Sequence, residues 1–348
     1  MSDSGLSRRT VIAVKLDGID ISEDMNKYLL QMTYTDNDED KTDDLQISLD
    51  DREGIWLTEW LDSGETKGAE ISAVIIQKNW ESDGRDRVLD CGTFQIDSLD
   101  GSGPPGAAAI KATALPFTSV VRTAIHTKAW EKIKLSAVAG EIAGKSGMTL
   151  MYESSYDPFY TRREQTELSD IAFLQWLCKD AGISLKVTSG FIVLFDAADY
   201  EKKPAVMEIK RGMSEVKSYR FGTNTNDTQY KSCHVSYTDP ESGQTYEHTY
   251  TPSQPPEGSE QVLRINEKVK SKDEARRLAM KRLREKNKNE FQAEFALVGD
   301  VRLVAGVTVN VSGWGMFDGK YIIETAGHSV SSSGYALQIK LRRVLEGY

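Results

Sequence analysis

One short motif has the residue types of a phosphate-binding loop, but its spacing is wrong. Gly140-Glu-Ile-Ala-Gly-Lys-Ser146 has three residues between its glycines, whereas the phosphate loop needs four. It also lies within an amphipathic helical pattern, where backbone amides are already hydrogen-bonded and cannot cradle a phosphate. We therefore interpret this segment as the solvent-facing end of a helix.

The alternating carboxylates Asp36, Asp38 and Asp40 resemble the start of a calcium-binding loop. In an EF-hand loop the sixth residue is glycine and the twelfth is a bidentate glutamate, but these positions hold Lys41 and Ile47. The spacing therefore excludes an EF-hand. We interpret the segment as an acidic loop between strands and expect its three aspartates to contact a partner protein or a neighbouring subunit.

No residue pattern predicts catalysis, a metal site or a cofactor. Ser214-Glu-Val-Lys217 fits Ser-x-x-Lys, but its partner motifs and a Gly-x-Ser-x-Gly elbow are missing from the sequence. Glycosidase chemistry needs two carboxylates at a set separation, and nothing marks such a pair among the 53 acidic residues. Cys233 and His234 make a poor metal clip, because neighbours on a strand point to opposite faces. The odd and widely spaced cysteines predict buried, reduced thiols; they are Cys91, Cys178 and Cys233.

A basic helix is the strongest charge feature of the sequence. Residues 268–288 hold ten Lys or Arg and three acids, a net charge of +7, and the capping box Ser271-Lys-Asp-Glu274 marks the start of a helix. No aromatic residue interleaves the cations, so this segment is poorly suited to reading bases. We expect a solvated or interface-facing helix that meets acidic surfaces, such as residues 17–53 of a neighbouring copy. The candidate contact residues are Arg276, Arg277, Lys281 and Arg284.

Outside these motifs, the periodicity of the apolar residues divides the chain into three segments. Residues 1–115 and 204–348 have strand-like alternation and turn signals, whereas 116–203 has helical patterns followed by a hairpin. We predict a mainly β fold with an α+β part: two similar antiparallel β-barrel domains, 1–115 and 204–348, flank a small α+β domain, 116–203. The basic helix, 271–288, is inserted in the second barrel.

The helices of the middle segment have clear boundaries. Apolar residues recur on one face of a first helix, which Gly147 ends. A second helix runs from Ser169 to Gly182, and a hairpin through residues 183–195 follows it. These elements predict a compact α+β unit.

The two β segments end in similar hairpins. In each, a glycine opens a short strand, a Ser-Gly pair marks a turn, and an Ile-Lys pair follows. The glycine-to-isoleucine spacings are 18 and 20 residues. Two related barrels or a chance similarity of two hairpins would both give this pattern, and we favour the repeat. The matching segments are Gly92–Ile96, Ser102-Gly103 and Ile110-Lys111 in the first, and Gly319–Ile323, Ser333-Gly334 and Ile339-Lys340 in the second.

Composition excludes several classes of protein. The chain has 348 residues and a net charge of −10, and this acidic balance argues against non-specific DNA binding by the whole surface. No apolar run approaches the ~18–20 residues that cross a bilayer, so we expect no membrane span. The N-terminal MSDSGLSRRT lacks the hydrophobic region of a signal peptide.

Several segments together resemble the phage late control D protein family, the baseplate hub of contractile tails and R-type bacteriocins. No single segment is an active-site signature, but their order is typical of the hubs of Gram-positive prophages. The matching segments are Asp43–Arg52, Cys91–Asp97, Gln165–Leu174, 265–288, Leu303–Val307 and Phe317–Tyr321.

The resemblance implies a structural protein without catalytic activity. It implies a homotrimer whose two barrels per chain adapt threefold symmetry to a hexameric tail tube. The implied partners are the tail tube protein, the central spike protein, the tape-measure protein and the baseplate wedge proteins, with assembly in the bacterial cytoplasm. The chain ends at Tyr348 without a needle-like repeat, so we expect the spike to be a separate protein.

Two other functions stay open at this point. One is a peptidoglycan hydrolase carried at the tail tip, although no catalytic motif supports it. The other is a nucleic-acid-handling protein that uses the basic helix, which the acidic balance of the chain disfavours.

Overall fold

The computed structural model describes residues 7–39, 41–60, 66, 68–114, 120–188, 190–256 and 258–348. The described chain is mostly β, with large antiparallel sheets, and this confirms the predicted fold class. The strands are β1 (Arg9–Leu16), β2 (Ile19–Asp20), β3 (Leu29–Asn37), β4 (Asp44–Asp50), β5 (Glu70–Ser82), β6 (Arg85–Ser102), β7 (Ala107–Thr113), β8 (Ile125–Lys134), β9 (Thr149–Glu153), β10 (Phe159–Ser169), β11 (Ser184–Thr188), β12 (Phe191–Phe195), β13 (Glu208–Lys210), β14 (Val216–Thr223), β15 (Ser232–Thr238), β16 (Thr245–Tyr250), β17 (Val262–Ile265), β18 (Phe291–Val298), β19 (Thr308–Ser312), β20 (Gly319–Ser331) and β21 (Gly334–Arg343). The helices are α1 (Ser22–Tyr28), α2 (Val120–Thr123), α3 (Leu135–Lys145), α4 (Asp170–Ala181), α5 (Ala197–Lys202) and α6 (Lys272–Asn287), with a π-helical turn at Trp56–Trp60 and a 3-10 turn at Gly315–Phe317.

The chain forms two compact units. The first contains residues 1–200, 296–306 and 324–339, and the second contains residues 201–295, 307–323 and 340–348. The predicted division into three domains, with boundaries at 115/116 and 203/204, remains a proposal.

In the first unit, alternating side chains of the antiparallel strands form a core. In β5 the buried residues Ile71, Ala73 and Ile75 recur at a period of two, and they pack with Ile12 of β1 and Phe94 of β6. An Asp-Gly turn after residue 82 joins β5 to β6.

A second core in the first unit lies between α3, α4 and the sheet β11-β12-β9. Ser169 caps the N-terminus of α4 by accepting the Ala172 amide hydrogen, and Gly182 ends the helix in the left-handed conformation, with φ at 75°. These boundaries and the β11–β12 hairpin confirm the predictions for this segment.

In the second unit, α6 packs against the sheet β16-β15-β17. Ser271 accepts the Glu274 amide hydrogen at 3.1 Å, and the Glu274 carboxylate accepts the Lys270 amide hydrogen at 2.7 Å. These two bonds confirm the helix start that the capping pattern predicts. A turn at residues 239–243 joins β15 and β16 into a hairpin.

Two sets of six strands share one pairing order. The first set pairs in the order β3-β4-β7-β6-β5-β1, and the second in the order β14-β18-β21-β20-β19-β13. When the strands of each set are ranked by position in the chain, both orders read second, third, sixth, fifth, fourth, first. The outermost pair of each set differs in orientation, because β1 runs antiparallel to β5 whereas β13 runs parallel to β19. The predicted similarity of the closing hairpins therefore extends to the order of all six strands.

Helix α1 and the ribbon of β8 and β10 were not predicted. Only Met25 of α1 is buried, so the sequence of this helix lacks the apolar periodicity that would predict it. It is held instead by polar side chains on the edge of β1: Ser22 Oγ accepts the Val14 amide hydrogen at 2.9 Å, and Asn26 Nδ2 donates to the Ile12 carbonyl at 2.7 Å.

Candidate functional site

The acidic segment begins at the end of β3 and continues into the loop before β4, and its first two aspartates are buried in the first unit. Asp36 is only 4% exposed; its carboxylate binds Lys186 and accepts the Ala305 amide hydrogen at 2.8 Å. Asp38 is also buried. Asp40 lies outside the described residues. Within one chain, Asp36 therefore joins β3 to β11 and to the segment before β19.

Asp43 completes this buried charge cluster. Its Oδ2 lies 3.8 Å from Lys186 Nζ, and its Oδ1 accepts the Asn37 amide hydrogen at 2.9 Å. Burial raises the pKa of Asp43 to about 6, and Lys186 opposes this rise while the nearby Asp36 adds to it. The cluster thus holds two carboxylates around one ammonium group within a single chain, and a partner contact of the acidic segment remains a prediction.

Helix α6 presents its cations on the sides that do not face the sheet. Its buried residues recur every fourth position and pack on the second unit's sheet; they are Ala275, Ala279, Leu283 and Asn287. Arg276 and Arg277 are exposed, and Lys281 is half-buried. The candidate contacts Arg276 and Arg277 are therefore accessible on the surface of this unit.

Acids elsewhere in the second unit neutralise part of the helix charge. Arg282 binds Glu267 with a shortest distance of 2.7 Å and Glu285 at 3.0 Å. Lys286 pairs with Asp227. Because these partners lie mostly outside the helix, the +7 of the sequence overstates the charge that the helix presents to a partner.

The fourth candidate cation of the helix, Arg284, belongs to a buried triad. It binds Glu201 of α5, whose carboxylate also accepts from Arg342 of β21 at 2.6 Å. Glu201 is 3% exposed and Arg342 is 1% exposed. The triad joins α5, α6 and β21, so Arg284 forms an ion pair within its own chain. Sequence reasoning could not find it, because Glu201 and Arg342 are 141 residues apart.

Strand β14 is the most exposed long strand of the second unit. Only Val216 and Phe221 are half-buried, and the other six residues are exposed. Tyr219, at 47% exposure, lies 5.3 Å from Trp314 between ring centroids. An exposed edge strand with aromatic side chains has the composition of an interaction surface.

The motifs that resembled chemistry do not assemble a reactive site. Gly140–Ser146 forms the end of α3 and the residue after it, which confirms the helical interpretation. Lys217 Nζ donates to the backbone carbonyl of Ser214 at 3.3 Å, and no described hydrogen bond joins it to the Ser214 hydroxyl. The three cysteines are free and buried, as predicted. Within the described ranges, no group of three or more His, Cys, Asp or Glu could hold a metal ion, and no helix is long and apolar enough to span a membrane.

Comparison with known proteins identifies the family. A profile described as phage tail baseplate hub matches residues 78–334, which is most of the chain. The chain belongs to the phage tail baseplate hub family. This assignment agrees with the resemblance found in the sequence.

Two named relatives support the assignment. The probable baseplate hub protein of Escherichia phage 186 is 23% identical over 197 residues, and that of Escherichia phage P2 is 25% identical over 202 residues. Each alignment covers 56% of this chain and 47% of the relative. The match thus spans about half the length of these two hub proteins.

Solved structures share the fold over nearly the whole chain. A 43 kDa tail protein of prophage MuSo2 from Shewanella oneidensis has a TM-score of 0.68 and 14% identity, with 97% of this chain and 98% of that one covered. A tail protein from Neisseria meningitidis MC58 has a TM-score of 0.71 and 12% identity, with 96% and 97% covered. An Escherichia coli component of the type VI secretion system has a TM-score of 0.57 and 12% identity, with 96% and 78% covered. At these identities the likeness shows a common fold.

Proposed function

We propose that this family member is the structural hub of a contractile injection system and acts as a homotrimer. The observation that carries the proposal is the repetition of one strand order in two sets of six strands. Three such chains would present six similar modules. A ring of six modules matches a hexameric tail tube, while the threefold axis of the trimer matches a trimeric spike.

The proposed partners are the tail tube protein, the central spike protein, the tape-measure protein and the wedge proteins. Large buried interfaces and the pairing of sheet edges would supply the affinity. The exposed Arg276 and Arg277, with Lys281 beside them, form a cationic surface that suits an acidic partner. Assembly would take place in the bacterial cytoplasm, and the product would be part of a phage tail or bacteriocin baseplate.

We also propose that the chain is not an enzyme. The support is that its named relatives are hub proteins and that the family is defined by this structural role. A zymogram with purified protein tests the alternative of a peptidoglycan hydrolase. No cleared zone is expected, and clearing that survives further purification would overturn this part of the proposal.

The competing nucleic-acid function would use α6. Since Glu267 and Asp227 already bind two of its cations, we expect weak DNA binding that vanishes near physiological salt. Binding that persists there, and is lost on reversing the charges of Arg276 and Arg277, would favour the alternative.

A further inference from the structure

The two sets of strands differ in how one outer edge is covered. In the first set, the outer edge of β3 pairs antiparallel with the last residues of β20, from Gln31↔Ser331 to Asn37↔Thr325. By position in the chain, β3 is the second strand of its set and β20 the fifth of the other. The second strand of the second set is β14, and its outer edge has no strand partner in the described part of the chain. One member of a repeated pairing is therefore missing its partner.

The strand equivalent to β20 is β6, and one edge of its end lacks a partner strand among the described residues. The first residues of β20 pair with β19 and its last residues with β3. Likewise β6 pairs with β5 up to Gln95, and backbone bonds continue to Ile96. Beyond it, Asp97 forms a bulge, residues 98–102 pair with β7 on one side, and no described strand covers the other side. Among the described residues, the two halves of a second such pairing are therefore both without a partner strand.

The charges on the two open edges are opposite and equally spaced. The charged residues of β14 are Lys217 and Arg220, and those of the β6 end are Asp97 and Asp100. In β14 a spacing of three places the two charges on opposite faces. One antiparallel register sets Asp100 opposite Lys217 and brings Asp97, at the bulge of β6, close to Arg220.

Few existing bonds of these charged side chains compete with the pairing. Asp100 is exposed and binds the exposed Lys111 at 2.8 Å, whereas the side chains of Asp97 and Arg220 have no hydrogen bond or ion pair among the described residues. Strand β1 is a poor alternative partner for β14, because its own charged residues, Arg9 and Lys15, are also basic. In addition, Ser22 and Asn26 of α1 already form hydrogen bonds with its edge. Opposite charges directly across two strands stabilise a pair, and like charges destabilise it.

We propose that β14 of one copy pairs antiparallel with Asp97–Ser102 of β6 in a second copy. The contact joins two different surfaces of one chain, so it is heterologous and closes into a ring when three copies meet. It would also cover the exposed Tyr219 edge. This inference rests on the proposed homotrimer and names the strands that form it.

Disulfide trapping tests the register directly. Residues opposite each other in an antiparallel pair have Cα atoms about 4.5–5.5 Å apart, within the range of a disulfide. The double variant Asp100→Cys with Lys217→Cys is expected to give linked dimers and trimers, and no longer species, on a non-reducing gel. The matched control is Asp100→Cys with Arg85→Cys, which places the second thiol on an exposed hairpin. The native cysteines are buried and do not compete.

Charge reversal tests the same contact in the full chain without new thiols. Lys217→Glu with Arg220→Glu is expected to raise the protein concentration for half-maximal trimer formation about tenfold or more, because attraction becomes repulsion at each interface. Adding Asp97→Lys with Asp100→Lys is expected to restore the trimer, which excludes misfolding as the cause. Lys15→Glu with Arg85→Glu is the control and should leave assembly unchanged.

The outcomes separate this inference from the proposed function. A wild-type trimer that neither cross-links at Asp100 and Lys217 nor responds to charge reversal would overturn the strand pairing and leave the hub intact. A wild-type chain that stays monomeric at every concentration would overturn both. Cross-linking together with rescue by the swapped charges is the result that we expect.

Discussion

Replacing Glu201 should destabilise the second unit strongly. Its carboxylate is 3% exposed and accepts hydrogen bonds from Arg342, itself 1% exposed, and from Arg284. Removing one partner of a buried ion pair costs about 3–5 kcal/mol, because charge stays buried without its counter-ion. Arg284 is less buried than Arg342, so water can reach it more easily. We therefore expect a loss of about 3 kcal/mol for Glu201→Gln, at the lower end of that range.

The assay must read the second unit by itself, because two units need not unfold together. Urea-dependent hydrogen exchange of the amides in α6 of the full chain gives that reading. Glu215→Gln, at an exposed position, is the matched control and should change the free energy of unfolding by less than about 0.5 kcal/mol. Replacing both partners, with Glu201→Leu and Arg342→Met, should recover at least half of the loss, because no buried charge then lacks its partner.

Two results would refute this reasoning. A loss below about 1 kcal/mol for Glu201→Gln would mean that water or other groups compensate Arg342 fully. A double variant that is no more stable than Glu201→Gln would mean that the triad contributes through packing rather than charge.

Three further predictions concern stability. Ser271→Ala removes the N-cap of α6 and should cost about 1 kcal/mol in urea unfolding, whereas Ser271→Asp should retain most of the stability. Asn26→Ala breaks the bond to the Ile12 carbonyl and should speed hydrogen exchange in β1 while leaving exchange in β15 unchanged. Asp43 has a pKa of about 6 in the folded chain, above its ordinary value of 3.8, so the folded state binds the extra proton and its stability should fall as the pH rises from about 4 to 6. In Asp43→Asn that pH slope should shrink, and an unchanged slope would rule out Asp43 as its source.

Local signals explain which elements could be predicted. Helices α4 and α6 each have an apolar stripe and a recognisable start. Ser169 and Gly182 bound α4, and Ser271 marks the N-terminus of α6. The predicted hairpin of β11 and β12 follows Gly182 directly. These signals lie within a few residues of the element that they define. In contrast, α1 bonds to β1 through polar side chains, so no periodicity marks it.

The burial and ion pairs of the candidate contact residues could not be predicted from the sequence, because they depend on distant segments. Asp36 looks like an exposed loop residue, but Lys186, 150 residues later, buries and pairs it. Arg284 looks like one more surface cation of α6, but Glu201 of another helix binds it. The sequence does predict the similarity of the two closing hairpins. It does not predict that all six strands pair in one order, because that depends on contacts between remote segments.

The molar mass of the wild-type chain in solution tests the central claim most directly. Static light scattering across a range of concentrations, alone and with a purified spike protein, gives this mass without a label. A trimer of the 38.8 kDa chain predicts about 116 kDa. A mass that stays at 38.8 kDa under every condition, including with the spike present, would contradict the account of this protein as a trimeric hub.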